Sequence, residues 1–317
     1  MDALYNAAKP RVVAIGGPTA TGKTALSVAL AKRFGGEIIS ADSMQIYQGL
    51  DVGTAKVTPE EMQGVPHHLV GFLAPEQAFS VADFTTLAGK TITQLTAQGK
   101  LPLVVGGTGL YITSLLNGIG FTPEKVDPAI RQELQARLQA EGSQALYAEL
   151  AAVDPGYAAK VHPNNTPRVI RALELYRATG RKMSAEREAA RPAEKPYCSL
   201  CLCLTCRDRT LLYQRIDTRC DRMMQSGILE EAKLVYDHRD TYRTAAQAIG
   251  YKEFFPYFEG TADLESCLAH LKQASRNYAK RQLTWFRHMD GVVWLDAAAP
   301  DLQARAAALT QEFITKG

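Results

Sequence analysis

Apolar residues in the first third of the chain fall into short continuous runs, with longer stretches of helical spacing between them. Arg11 to Gly16 (RVVAIG), Glu37 to Ser40 (EIIS) and Leu101 to Gly106 (LPLVVG) predict short buried strands. Ala25 to Phe34, Ala82 to Gln98 and Gly109 to Leu116 predict helices. Strands alternating with helices imply a parallel α/β sheet. The pattern changes after Asn117. From Asp127 to about Glu188 only helices are expected, and Asp127-Pro128, Asp154-Pro155 and Thr166-Pro167 each pair an N-cap with proline at the first helical position. Strand character returns at Tyr197 to Thr205, a long helix follows from about Asp208 to Ser226, and a last strand is expected at Gly291 to Leu295 (GVVWL). The implied organisation is an α/β core, residues 1–116 and 191–317, interrupted by a helical insertion, residues 117–190.

Composition narrows the class. With 46% hydrophobic and 22% charged residues, the chain suits a globular fold rather than disorder. No apolar run approaches the roughly 18 residues of a membrane span. Met1 to Pro10 lacks an apolar stretch flanked by basic residues, so no secretory signal is expected. Six cysteines in 317 residues suggest a reducing, cytoplasmic setting. A net charge of +3 is too mild to imply nucleic-acid binding by itself.

The chemistry begins at Gly17-Pro18-Thr19-Ala20-Thr21-Gly22-Lys23-Thr24, which matches G-x-x-x-x-G-K-[ST] between a predicted strand and a predicted helix. Backbone N–H groups of such a loop wrap a diphosphate, and the helix N-terminus adds a favourable dipole. Lys23 supplies a point charge, and the Thr24 hydroxyl suits Mg²⁺. The loop does not distinguish ATP or GTP from a prenyl diphosphate. A kinase or NTPase and a transferase releasing pyrophosphate both remain open here.

Asp42 follows the second predicted strand, and ligands of open α/β sheets bind beyond the carboxyl ends of the strands. A carboxylate there accepts a proton from a nucleophile or holds Mg²⁺, or it simply caps a turn. Ile46 to Lys56 forms a long turn-rich segment, and loops of that length are often functional. At this point the order of motifs becomes specific. GPTATGKT, ADSMQIYQGLDVGTAK, PHHLVGFLAP and VVGGTGLYI are followed by PRVIRALELY, RIDTRCDRM, AIGYKE and KRQLTWFR. The chain thus resembles the bacterial tRNA dimethylallyltransferases from Val12 to about Leu295.

The resemblance implies a P-loop NTPase-like parallel-sheet core with an all-helical insertion domain, and Mg²⁺ as cofactor. It implies transfer of a dimethylallyl group from dimethylallyl diphosphate to the exocyclic N6 amine of the adenosine 3′-adjacent to the anticodon (tRNA position 37). Pyrophosphate would leave, giving N6-isopentenyladenosine in tRNAs that read codons beginning with U. Asp42 matches the family's general base. Lys23, the loop N–H groups and an arginine would support the leaving group, with Arg219 the first candidate and Arg215 the second. Thr108 matches a residue near the target base, and is otherwise a helix N-cap. Asp42, Ser43, Met44 and Gln45 match a tRNA-contacting segment. So do Pro167, Arg168, Val169, Ile170 and Arg171, and Arg131 matches a further contact. Gly250 and Tyr251 lie in a matched segment without an individual role. The expected partners are a tRNA anticodon stem-loop and dimethylallyl diphosphate, with no membrane, for a monomeric enzyme. The target nucleotide would be extruded from its loop, with neighbouring bases and loop shape giving specificity.

The local charge pattern adds a candidate RNA surface. Lys272 to Arg287 carries five basic residues and no acidic one. On a helix, Arg276, Lys280 and Arg287 fall within about 40° of one another, with Tyr278, Trp285 and Phe286 on the other side. With Arg281, this stripe suits phosphate contacts. Cys198, Cys201, Cys203 and Cys206 mimic metal spacing, but on one strand their sulfurs do not converge, so they are expected to be buried small residues. His67 and His68 are expected to be structural or substrate-lining. A kinase lacks a convincing adenine-binding or lid segment here. A non-catalytic RNA-binding protein does not explain Lys23-Thr24 beside Asp42, and a terpene-synthase-type enzyme needs an Asp-Asp pair that the chain lacks.

Overall fold

The computed structural model describes residues 9–121, 127–190, 192 and 194–315, so residues 1–8, on which the signal-peptide expectation largely rests, lie outside it. The chain divides into two compact units, Met1–Leu116 with Pro196–Gly317, and Asn117–Lys195. The second boundary therefore falls at 195 rather than 190.

In the first unit, strands β1 (Arg11–Gly16), β2 (Gly36–Ser40), β3 (His67–His68), β4 (Leu101–Val105), β5 (Cys198–Thr205) and β6 (Val292–Asp296) form one sheet. The order is β3-β2-β4-β1-β5-β6, and every neighbouring pair is parallel. The helices of this unit are α1 (Lys23–Phe34), α2 (Pro59–Met62), α3 (Val81–Ala97) and α4 (Gly109–Leu116) before the insertion. Strand β1 is central and covered on both faces, which explains its unbroken apolar run. Val13 and Ile15 pack with α1, while Val12 and Ala14 pack with α3 and α4. Helix α1 starts at Lys23 rather than Ala25, so Lys23 and Thr24 occupy its first turn.

The second unit holds α5 (Pro128–Glu141), α6 (Ser143–Val153), α7 (Pro155–Ala158), α8 (Thr166–Thr179) and α9 (Met183–Ala189), and no strand among its described residues. Leu134, Leu146, Leu150, Val169 and Leu173 form its core. Asp127 and Asp154 cap α5 and α7 as expected, accepting from the amides of Ala129 and Tyr157, with proline next in each case. Thr166 does not act as a cap: α8 begins at Thr166 itself, and the preceding Asn165 makes no side-chain cap bond.

After the insertion the first unit continues with α10 (Arg209–Gln225), α11 (Ile228–Asp237), α12 (Phe255–Phe258), α13 (Leu264–Arg287) and α14 (Leu302–Thr315). The two-residue β3 and helices α2, α11, α12 and α14 have no counterpart in the sequence reading. No helix of the described residues is long and apolar enough to cross a membrane. Cys201 and Cys203 are buried on the α3–α4 face, and Cys206 is buried among residues of α10, α11 and α13. Cys198 is exposed at the start of β5, against the expectation of burial, and all six thiols are free.

Candidate active site

The loop from Gly17 to Gly22 joins β1 to α1 and is shaped by its glycines. Gly17 has φ +133°, and a Cβ there would lie 2.6 Å from the carbonyl oxygen of Leu204. Gly22 caps α1 in the left-handed region without any side-chain cap, and no acidic residue stands in the first turn. The N-terminal amides of α1 therefore keep their capacity for an anion. Lys23 Nζ donates to the Pro18 carbonyl at 2.7 Å, holding the ammonium over the loop. Desolvation, then the nearby Arg219 guanidinium, lower its pKa to about 8, against the raising effect of Asp42 and Cys203.

A diphosphate bound in this loop restores the proton that desolvation disfavours. Affinity for inorganic pyrophosphate is thus expected to weaken as pH rises through about 8, with roughly half a proton taken up per binding event at that pH through Lys23. Calorimetry across a pH series checks this, and Lys23→Arg, which stays charged, should flatten the Lys23 contribution.

Asp42 lies just past β2. Its Oδ1 accepts from the amides of Met44 (2.9 Å) and Gln45 (3.3 Å), the turn geometry anticipated for Asp-Ser. Oδ2 accepts no hydrogen bond from the described residues, so the turn fixes the carboxylate and leaves one oxygen for chemistry. Thr108 follows β4. Its amide donates to the Ala41 carbonyl at 3.2 Å, and its hydroxyl accepts from the Ser43 amide at 3.1 Å. Thr108 thereby ties the ends of β2 and β4 together. Gly106 is required at this approach, since a Cβ there would lie 2.1 Å from the Ala41 carbonyl oxygen.

Helices α10 and α13 close the other side. Arg219 of α10 donates to the Thr19 hydroxyl of the phosphate loop. Arg219 lines the same cavity of about 710 Å³ as Thr19, Lys23, Thr24 and Asp42, whereas Arg215 does not. Gln282 of α13 is 5% exposed and bridges two loops: its Oε1 accepts from the Thr19 amide (3.0 Å) and its Nε2 donates to the Gly107 carbonyl (3.0 Å). Tyr278, one turn earlier, also lines the cavity. Burial, then the Asp42 carboxylate, push its phenol up to about 12. Neither Gln282 nor Tyr278 was identified from sequence as a site residue.

The specific motif KRQLTWFR is in large part a packing motif. The Trp285 indole lies against Gly109 and donates to the Thr113 hydroxyl at 3.0 Å, and Phe286 fills the space a side chain at Gly16 would need. Lys280, Arg281 and Arg287 remain exposed. Arg281 lines the cavity, and Lys280 lies over the Tyr213 ring, 5.8 Å from its centroid. Arg276 is not a free member of the basic stripe. It makes two bonds to Asp217 on α10, at 2.7 and 2.9 Å, and Lys272 pairs with Asp221.

The turn-rich segment after Asp42 is ordered by distant partners. Glu231 of α11 accepts from the amides of Asp51, Val52 and Gly53, and from the Tyr251 hydroxyl. Gly53 packs on the Tyr251 ring and Gly250 packs on Gly53, which gives the AIGYKE segment a structural reason. His68 pairs with Glu37 at 2.7 Å, a structural role, while His67 lines the cavity.

Within the insertion, Arg131, Pro167, Arg168 and Arg171 are exposed. Val169 and Ile170 are buried at 1% and 7% exposure, so their side chains serve the core of that unit rather than its surface, a correction to the expected RNA contact. Arg131 is bound bidentately by the buried carboxylate of Glu174, which also lies 3.5 Å from Arg171.

The chemistry of the loop fits a divalent ion. The Thr24 hydroxyl lines the cavity and makes no bond to the described residues. No group of three or more His, Cys, Asp or Glu among them forms a cation cage. Such a site suits Mg²⁺, which keeps several waters and binds through one or two protein groups plus phosphate oxygens.

Comparison with known proteins places this geometry. A family described as "IPP transferase" matches residues 45–289, and one described as "Isopentenyl transferase" matches residues 10–70. The tRNA dimethylallyltransferase of Bacillus subtilis is 50% identical over 295 residues, 93% of both chains. The crystal structure of the tRNA isopentenylpyrophosphate transferase of Bacillus halodurans has a TM-score of 0.72 at 44% identity, covering 96% of this chain and 97% of its own. A eukaryotic dimethylallyltransferase acting on tRNA has a TM-score of 0.79 at 32% identity, covering 96% of this chain and 79% of its own. With a phosphate loop on a parallel sheet and matches along nearly its whole length, the chain belongs to the tRNA dimethylallyltransferase family, prenyltransferases built on a P-loop NTPase-like fold.

Proposed function

We propose that the chain transfers the dimethylallyl group of dimethylallyl diphosphate to the exocyclic N6 amine of the tRNA adenosine at position 37, 3′-adjacent to the anticodon, in tRNAs that read codons beginning with U. One observation carries this reading: an anion-binding loop, a guanidinium and a carboxylate with one free oxygen line a single cavity. In the reaction the C–O bond to the diphosphate breaks as the N–C bond forms. The amine proton passes to Asp42 Oδ2, giving N6-isopentenyladenosine and pyrophosphate. The Lys23 ammonium, Arg219 and the α1 amides meet the charge that builds on the departing pyrophosphate. Thr24 is the residue that would hold Mg²⁺, which supplies further neutralisation of that leaving group. Thr108 fixes the Asp42 segment against β4. The six free cysteines suit a reducing compartment, the cytoplasm.

For the RNA, the reading uses Ser43, Met44 and Gln45 beside Asp42, the exposed Lys280, Arg281 and Arg287 of α13, and Pro167, Arg168, Arg171 and Arg131 of the insertion. Arg168→Ala and Lys280→Ala are each expected to raise the tRNA concentration needed for half-maximal binding, and to reduce the salt slope by about one for each phosphate no longer neutralised. Filter binding at several salt concentrations measures this. Unchanged affinity in both variants places the RNA elsewhere.

The experiment for the reaction incubates the purified protein with dimethylallyl diphosphate, Mg²⁺ and unmodified tRNA, digests the RNA and searches for prenylated adenosine by mass spectrometry. A parallel reaction holds ATP instead. Prenylated adenosine only with the prenyl donor is expected; consumption of ATP without prenylation overturns the proposal.

A further inference from the structure

Glu231 sits on α11 and does not line the cavity, yet its carboxylate is fully engaged. Oε2 accepts from the amides of Asp51 (2.7 Å) and Val52 (2.9 Å). Oε1 accepts from the Gly53 amide (2.9 Å) and the Tyr251 hydroxyl (2.6 Å). Three consecutive backbone N–H groups turned toward one anion form a nest, here filled by the protein's own side chain. Tyr251 is completely buried, and it holds the carboxylate from behind. The fit leaves no slack. A Cβ on Gly53 would lie 2.3 Å from the Tyr251 ring, and one on Gly250 would lie 2.9 Å from the Gly53 carbonyl oxygen.

The ordered loop passes its position on toward the reacting centre. The carbonyls of Thr54 and Ala55 accept from Gln45 Nε2 at 3.3 and 3.0 Å. The Gln45 amide in turn donates to Asp42 Oδ1. Gln45 is thus held at its backbone by Asp42 and at its side chain by the loop that Glu231 fixes. Gly53, Thr54 and Ala55 themselves line the cavity.

We propose that Glu231 is a positioning residue for the acceptor RNA, setting the 51–55 loop, and through it Gln45, so that the Asp42–Gln45 segment meets the target nucleotide in one conformation. The inference rests on the tRNA-prenylating function proposed above. It separates the two substrates: the phosphate loop is held by hydrogen bonds with Gln282 and Arg219, whereas the bonds of Glu231 are to the 51–53 amides and Tyr251.

The test is steady-state kinetics of Glu231→Gln, in which the carboxamide offers one acceptor oxygen where the carboxylate offers two. KM for tRNA is expected to rise about tenfold, while KM for dimethylallyl diphosphate stays within about twofold and kcat at saturating tRNA within about threefold. Hydrogen exchange should accelerate at residues 51–53 and stay unchanged in α1. Tyr251→Phe, which removes a single donor and keeps the ring, should raise the tRNA KM by about threefold and carries the test if Glu231→Gln does not fold. An unchanged tRNA KM overturns the proposal. So does an equal change in both KM values with faster exchange throughout the core, the result of a merely structural role. Wild-type protein that fails to prenylate tRNA overturns the underlying function and this inference with it; active wild type with an unaltered variant overturns only the role of Glu231.

Discussion

Asp42→Asn is expected to lower kcat by about 10²–10⁴-fold while leaving the dissociation constant for tRNA within a few-fold. The asparagine oxygen still accepts from the Met44 and Gln45 amides, so the turn survives. What disappears is the free carboxylate oxygen and its negative charge. An aromatic amine is a poor nucleophile and must shed a proton as the new bond forms, so the loss falls on turnover rather than on binding. Single-turnover prenylation beside filter binding of the same tRNA separates the two. A fall of less than about tenfold in turnover removes Asp42 as the base.

Arg219→Gln is expected to reduce kcat/KM for dimethylallyl diphosphate by about 10²–10³-fold. Burial lowers the guanidinium's pKa, with Asp42 the first of the charges opposing that shift. The group contacts the phosphate loop through the Thr19 hydroxyl, and in the proposed reaction it meets the charge of the departing pyrophosphate. A glutamine retains hydrogen-bonding capacity and loses the charge. Inhibition by inorganic pyrophosphate should weaken in parallel. Thr19→Val, which deletes the hydroxyl and keeps the arginine, should cost much less. If the two variants behave alike, Arg219 serves the shape of the loop and not the leaving group.

The parts of this site that depend on neighbours in sequence were legible without the structure. An unbroken apolar run, a glycine-spaced loop and a lysine–threonine pair define β1, the phosphate loop and α1 from local rules. The position of Asp42 followed from its place at the end of β2. The parts that depend on distant partners were not legible. Gln282 reaches across 263 positions to Thr19 and 175 to Gly107; it lies inside KRQLTWFR, but no local rule separates it from its neighbours as the residue that turns inward. Glu231 meets its amide partners 178 to 180 positions away. Helical spacing put Arg276 on a basic stripe, but Asp217 on another helix takes up its charge. It put Tyr278 on an apolar side, where the structure instead sets it in the wall of the cavity. Val169 and Ile170 were drawn into an RNA-contacting segment by motif, and burial returned them to the core.

The Gln282 bridge also sets a timetable. A ribosome adds about 5–20 residues per second, so the Thr19 amide waits roughly 13–50 s for the residue that will fix it. For about a third of that interval β1 has only β4 beside it, because β5 is made after the insertion. A nascent chain released before α13 is complete lacks the cross-brace between its phosphate loop and the end of β4. Premature termination between β5 and Gln282 therefore yields a product that has five of the six strands and lacks the brace on its phosphate loop.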